Sequence, residues 1–171
     1  MSEKEEYVEE FERFEASTGR PDKYHGDVAP HKPILLLSLI RLYEEGKIDL
    51  RNIDPKSEEL LTTAEEIWND WLGYDRDFDI YMPLYYLKRK DFWNPVVKDG
   101  ESDPSRPDQV GARIDHFYLE DDLIDYMEKK DNREKLIKAL IRSGKVLKTT
   151  GEKKDCFSEQ DKEAIREKVG F

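Results

Sequence analysis

The sequence predicts a mainly α fold of the α+β class, in which a compact set of helices surrounds a buried central helix and a small antiparallel β-hairpin or sheet. Residues 34–42 are aliphatic at nearly every position, which is typical of a helix buried on all sides. Residues 78–97 are rich in aromatic and β-branched side chains, which favours strands. The chain has 171 residues and neither repeats nor a linker, so we expect one domain over 1–171.

The first half of the chain contributes three predicted helices. Tyr7, Phe11 and Phe14 recur at helical spacing after a capping signal at Ser2, and a polar loop follows over 19–30. The remaining two are the central helix, which starts near Pro33 and ends at Gly46, and a helix over about 57–72. Proline is tolerated in a first turn because the amide there has no partner within the helix.

The second half begins with the predicted β-hairpin over 78–97, whose tip carries Lys88, Arg89 and Lys90. Pro83 places its first strand at an edge or a bulge, because proline donates no ladder hydrogen bond. The later elements are a long loop over 98–112, helices over about 120–130 and 132–143, a lysine-rich turn or hairpin over 144–157, and a last helix from Ser158 to Gly170.

Composition excludes several classes of protein. One cysteine, Cys156, rules out an internal disulfide and a cysteine-rich zinc site. His25, His31 and His116 have no metal-binding spacing, and no phosphate-binding glycine motif is present. We therefore expect no catalytic residues, no metal and no cofactor, and not an enzyme. No apolar run is long enough to span a membrane and the start is acidic, so we expect a cytoplasmic protein with no membrane partner.

The charge is unevenly distributed along the chain. The net charge is −11, which alone argues against a nucleic-acid partner. Residues 3–15 hold seven acidic side chains, however, and residues 133–154 hold eight basic ones. This polarity indicates either a basic face inside an acidic envelope or ordinary charge scatter on solvated surfaces.

Two segments favour phosphate binding. His31 and Lys32 start the central helix, where free amide groups and the helix dipole attract anions. The alternative is that His31 only caps the helix and Lys32 is solvated. In "YMPLYYLKRK", strand alternation puts Tyr81, Pro83 and Tyr85 on one face and Met82, Leu84 and Tyr86 on the other, beside the basic tip. Aromatic rings next to cations suit nucleic-acid contact, although these rings can equally be core.

Four segments together resemble one known family. "APHKPILLLSLIRL" resembles a helix near the start of the sulfur-binding domains of type IV, modification-dependent restriction endonucleases. "MPLYYLKRKDFWNPV", "YLEDDLIDYMEKKDNREKLIKALI" and "CFSEQDKEAI" resemble later segments of that family in the same order, over about 28–165. The resemblance implies a mostly helical domain that reads phosphorothioated DNA. In such domains an apolar cavity takes the sulfur, basic groups hold the flanking phosphates, and a nuclease usually follows.

The resemblance also implies a set of site residues. The start of the central helix falls on the segment that lines the family's site, and Pro83 falls on the proline of the second segment. Arg106 and Arg113 lie in the loop region from which such domains also reach the DNA backbone. Met82 stands where the family often has tyrosine, and Tyr86 stands where it often has a small residue. The complete predicted DNA-binding set is Pro30, His31, Lys32, Met82, Pro83, Tyr85, Tyr86, Lys88, Arg89, Arg106 and Arg113.

The sequence therefore predicts a module that recognises modified, phosphorothioated double-stranded DNA in prokaryotic restriction or phage defence. We expect no separate nuclease domain within residues 1–171, and a nuclease on another chain is an expected partner. The alternative is a protein–protein adaptor of a defence complex, with the same fold but without DNA binding.

Overall fold

A computed structural model describes residues 5–22 and 25–171, with side chains described for 6–16, 25 and 29–171. The predicted cap at Ser2 lies outside these residues. Within them, the chain has the predicted mainly helical α+β fold. No helix in this part of the chain is both long and apolar enough to cross a membrane.

The described residues form helices and three short β-hairpins or paired strands. The helices are α1 (Glu5–Glu12), α2 (His31–Glu44), α3 (Glu58–Glu65), α4 (Tyr81–Tyr86), α5 (Val110–Arg113), α6 (Asp121–Met127), α7 (Lys130–Ile141) and α8 (Glu159–Val169). The strands are β1 (Ser17–Asp22), β2 (Gly26–Ala29), β3 (Trp93–Val97), β4 (Ile114–Leu119), β5 (Gly144–Val146) and β6 (Lys153–Asp155). They pair antiparallel as β1 with β2, β3 with β4, and β5 with β6.

Helix α2 is the buried centre of the fold, as predicted. Every residue from Pro33 to Ile40 is buried, and α3, α4 and α7 pack around it. Because its whole circumference is apolar, it is held rigidly by the core. The chain leaves the helix through Gly46, whose φ of 70° is a backbone conformation that favours glycine.

The predicted helix over 57–72 forms in two parts. The Ser57 hydroxyl accepts a hydrogen bond from the Leu60 amide and caps α3. From residue 66 the helix widens into a π-helix over Glu66–Trp71, with a hydrogen bond from the Leu72 amide to the Ile67 carbonyl. Trp68, in the widened turn, is fully buried and stacks on Tyr74 with ring centroids 3.7 Å apart.

The prediction of a β-hairpin over 78–97 is wrong in its first half. Residues 81–86 form α4 and residues 87–89 continue as a 3₁₀ turn, so the basic residues lie in a turn rather than at a hairpin tip. Pro83 sits in the first turn of α4, where its missing amide hydrogen costs no hydrogen bond. Aromatic residues favour strands mainly through packing, and here the packing is against helix α2.

The sheets also differ from the prediction. Only 93–97 of the predicted hairpin is a strand, and it pairs with β4, with Trp93 opposite Leu119. The polar loop expected over 19–30 is instead the hairpin of β1 and β2. The sequence of this hairpin shows no alternation of polar and apolar residues. Nothing in it therefore predicted that the two segments pair through their backbones. The hairpin expected over 144–157 is confirmed as β5 and β6.

The acidic N-terminal helix packs against α7, and acids of the first 44 residues pair with bases in and just after α7. Arg142 pairs with Glu12, and the Lys145 ammonium lies 3.6 Å from the Glu15 carboxylate. Arg133 pairs with Glu44 at 3.2 Å. The uneven charge of the sequence is therefore partly neutralised within the fold, since three basic side chains of the 133–154 segment pair with acids from other parts of the chain.

Candidate nucleic-acid interface

His31 is not the exposed donor that the sequence predicts. It is 7% exposed, and its ring packs against Trp68 and Phe78 with centroids 5.0 and 5.3 Å away. Burial lowers the pKa of His31 to about 4, against the opposing influence of Asp79. The ring is therefore neutral at pH 7, and its Nδ1 has no hydrogen-bond partner among the described residues. Pro30, before it, is buried as well.

Lys32 does lie at the surface, in the first turn of α2. Its side chain is half-buried, and no side chain caps the helix, so the first amide groups of α2 have no partner from that source. Burial lowers the pKa of Lys32, and the nearby charges of Arg89 and Lys90 lower it further, while Glu15 acts against them. The fold therefore brings together cations that are more than fifty residues apart in the sequence.

Helix α4 and the turn after it present these cations on aromatic supports. Helical periodicity turns Pro83, Leu84 and Leu87 into the core and leaves the tyrosines on the flanks. The Lys88 ammonium lies 3.7 Å from the centroid of the Tyr85 ring, and the Arg89 guanidinium carbon lies 5.3 Å from that of Tyr86. Each pair is three residues apart, so the helix itself sets these cation–π contacts.

We define the cationic patch as Lys32, Lys88, Arg89 and Lys90. Among the residues whose side chains the structure describes, none forms an ion pair with any of these four, although Lys90 lies over the Phe14 ring at 5.3 Å. Glu15 lies near Lys32 and Glu10 lies near Lys90, but neither forms an ion pair with the patch. The positive end of the α2 dipole adds to the four side-chain charges, so the patch can bind an anion.

A cleft of about 400 Å³ opens beside the patch. It is lined by Tyr85, Lys88, Arg89, Pro95, Asp103, Pro104, Val110, Ile114 and Phe117. Arg89 belongs both to this lining and to the surroundings of Lys32, so the cleft and the patch are continuous.

The apolar notch expected around Met82, Pro83 and Tyr86 is not this cleft. Pro83 is buried, and Met82 and Tyr86 are half-buried residues that do not line it. The difference follows from the helix: on α4, residues 82 and 86 share one flank, while 81, 85 and 88 share the other. Strand alternation also groups 82 with 86 and 81 with 85, but it put Pro83 on the face of Tyr81 and Tyr85, whereas the helix turns Pro83 into the core with Leu84.

Arg106 and Arg113 are engaged within their own loop. Arg106 pairs with Asp108 at 3.0 Å. Arg113 donates to the Ser102 hydroxyl and to the Asp103 carbonyl, both at 3.3 Å. Arg113 therefore holds the loop that carries one wall of the cleft, instead of offering a free charge.

Sequence reasoning missed several residues at this surface. Lys90 was part of the predicted basic tip but not of the predicted site, and Pro95, Asp103 and Pro104 were not singled out. The length of the 98–112 loop was the available signal, because long loops in compact domains are often functional. The fold shows which of its residues face the cleft.

The described residues contain no group of three or more histidine, cysteine, aspartate or glutamate side chains arranged to hold a metal. Cys156 is buried, and its thiol donates to the Phe14 carbonyl at 2.9 Å. Burial raises the pKa of Cys156 to about 11, so the thiol is protonated and a poor nucleophile at pH 7.

No family model matches this chain, and no curated protein matches it. The surface itself combines four cations, the uncapped start of a rigid helix, and an adjoining cleft with apolar walls.

Proposed function

We propose that this chain binds double-stranded DNA through the cationic patch and recognises a phosphorothioate linkage in its backbone, as part of prokaryotic restriction or phage defence. The observation that carries the proposal is the position of Lys32 beside Arg89 and Lys90. Holding like charges close together costs free energy, so such a cluster is best satisfied by an external anion.

The patch is a local cluster of cations on an acidic protein. With a net charge of −11, most of the surface repels a polyanion, so contact with DNA is favourable only where cations cluster. The start of α2 adds its dipole and amide groups to the four side chains, and its burial keeps them in place. These features support phosphate contacts that position a duplex, without specifying base sequence.

Preference for sulfur is supported by the family resemblance and by the apolar flank of α4. A phosphorothioate keeps its charge, but sulfur is larger and less well hydrated than oxygen, so an apolar contact disfavours the oxygen. Met82 is half-buried on α4 and offers a polarisable thioether for such a contact. A difference of about 1–3 kcal/mol corresponds to a roughly 5- to 150-fold preference.

The proposal is tested by fluorescence anisotropy with two labelled duplexes of one sequence, with and without a single phosphorothioate, at two salt concentrations. We expect binding to both, tighter to the modified duplex and weaker to both as salt rises. Met82→Gln places an amide on the apolar flank and should narrow the preference while leaving affinity for plain DNA in place. Equal binding of the two duplexes would reject phosphorothioate recognition and keep DNA binding.

A protein–protein adaptor of a defence complex is the second candidate, and the charge distribution favours it. Glu12 of α1 and Glu15, just beyond it, pair with Arg142 and Lys145, and the chain as a whole carries a net charge of −11. This candidate predicts no binding to either duplex at low salt. In that case the patch would serve an acidic protein surface, such as that of a partner nuclease.

A further inference from the structure

The cleft beside the cationic patch is not needed to hold duplex phosphates. Its volume of about 400 Å³ falls within the range of about 300–1,000 Å³ that is typical of sites for small organic ligands. A phosphate group on the patch would leave this space empty. The cleft is therefore large enough to receive a second part of the same ligand.

The walls of the cleft suit a flat aromatic ring. Tyr85 lines it from α4, Pro95 from the exposed side of β3, and Pro104 from the loop over 98–106. Behind them, the buried side chains of Ile114 and Phe117 close the floor. An aromatic ring such as that of Tyr85 stacks on a nucleobase with little regard to base identity, and the two proline rings offer apolar surface for the base to pack against.

The polar groups of the cleft suit the rest of a nucleotide. Lys88 and Arg89 line the cleft and also belong to the patch. A phosphate bound to these two residues therefore lies next to any group that enters the cleft. Asp103 is exposed on the same lining. Its carboxylate repels a phosphate but accepts hydrogen bonds, as acidic side chains do from the exocyclic amino group of cytosine.

We infer that the cleft receives one unpaired nucleobase from a DNA strand whose phosphates lie on the cationic patch, with a preference for cytosine over thymine. This inference rests on the proposed DNA binding and adds the class of DNA: a duplex with an extrahelical base. Entry of the base costs least where the base is already unpaired, so a bulged duplex should bind more tightly than a matched one.

The test uses fluorescein-labelled duplexes that are fully matched, or carry one extra cytosine or one extra thymine in one strand. Binding is measured by anisotropy with the full chain. We expect the cytosine bulge to bind about fivefold or more tightly than the matched duplex, with the thymine bulge between them. Pro95→Trp fills the cleft from an exposed strand position and should abolish the bulge preference, measured as the ratio of bulged-duplex to matched-duplex affinity of the same variant.

The matched control is Asn94→Trp, which adds the same ring at the neighbouring position of β3, on the opposite face of the strand. It should keep the preference of the wild-type protein. Pro104→Trp fills the cleft from the other wall and replaces Pro95→Trp if circular dichroism shows that variant unfolded. Wild-type protein that binds matched and bulged duplexes equally would overturn the cleft inference alone. Absence of binding to every duplex would overturn the proposed function with it.

Discussion

Replacing Lys32 by alanine removes one of four cations from the patch without touching the core. Each phosphate contact releases counterions, so the logarithm of the association constant falls with the logarithm of salt concentration with a slope of about −0.9 per contact. Four contacts give a slope of about −3.6, and three give about −2.7. Between 50 and 200 mM salt, the wild-type protein should then lose about 150-fold in affinity and Lys32→Ala only about 40-fold.

Fluorescence anisotropy over that salt range measures both slopes, on plain and phosphorothioated duplexes alike. Lys47→Ala is the matched control, because Lys47 is exposed, pairs with Glu45 at 3.1 Å, and follows the opposite end of α2. That end is about 20 Å away, well beyond a single phosphate contact. If Lys32→Ala keeps the wild-type slope, or Lys47→Ala lowers it equally, the patch has been misplaced.

Three further predictions concern buried residues. The pKa of His31 is about 4 in the folded protein and 6.5 when unfolded. The stability that the buried neutral ring contributes to folding is therefore complete above pH 6.5 and is lost as the pH falls towards 4. The free energy of unfolding, measured by urea denaturation at pH 7 and pH 4.5, should fall by up to about 3 kcal/mol less in His31→Phe than in the wild-type protein. DNA binding at pH 7 should be retained. Cys156 is 1% exposed and should react with a thiol reagent at pH 8 only after unfolding; rapid reaction of the native protein would contradict its buried position. A Cβ at Gly144 would lie 2.6 Å from the Lys154 carbonyl oxygen. Gly144→Ala should therefore lower the free energy of unfolding by about 1–3 kcal/mol. Gly151 has open space around it but a positive φ, so Gly151→Ala tests the effect of backbone conformation alone.

The helical frame was predictable because its signals are strong and local. The aliphatic run of α2 is typical of a buried helix, and the helices that Ser57 and Ser158 cap begin close to the predicted positions. The stretch over 81–89 was misassigned because aromatic composition does not distinguish a buried strand from a short helix packed on a core. The β1–β2 hairpin was missed because its sequence has neither strand-forming composition nor an alternation of polar and apolar residues.

The candidate site was predictable in part. The sequence places Lys32 at a helix start and Lys88 and Arg89 among tyrosines, and the fold brings these segments together. It could not show that His31 turns inward, because a histidine at a helix start is compatible with either direction. That choice is made by the packing of Trp68 and Phe78, which come from a later part of the chain.

The small size of the patch constrains how such a protein can select its target. Four phosphate contacts supply modest affinity, and that affinity is the same for every duplex because phosphates carry no sequence information. On a chain with a net charge of −11, the remaining surface adds repulsion that also does not discriminate. Selectivity must therefore come from contacts that do not depend on charge: the apolar flank of α4 that carries Met82, and the cleft walled by Pro95 and Pro104. Since salt weakens only the electrostatic part, the ratio of affinities between preferred and plain duplexes should persist at salt concentrations where overall binding is weak.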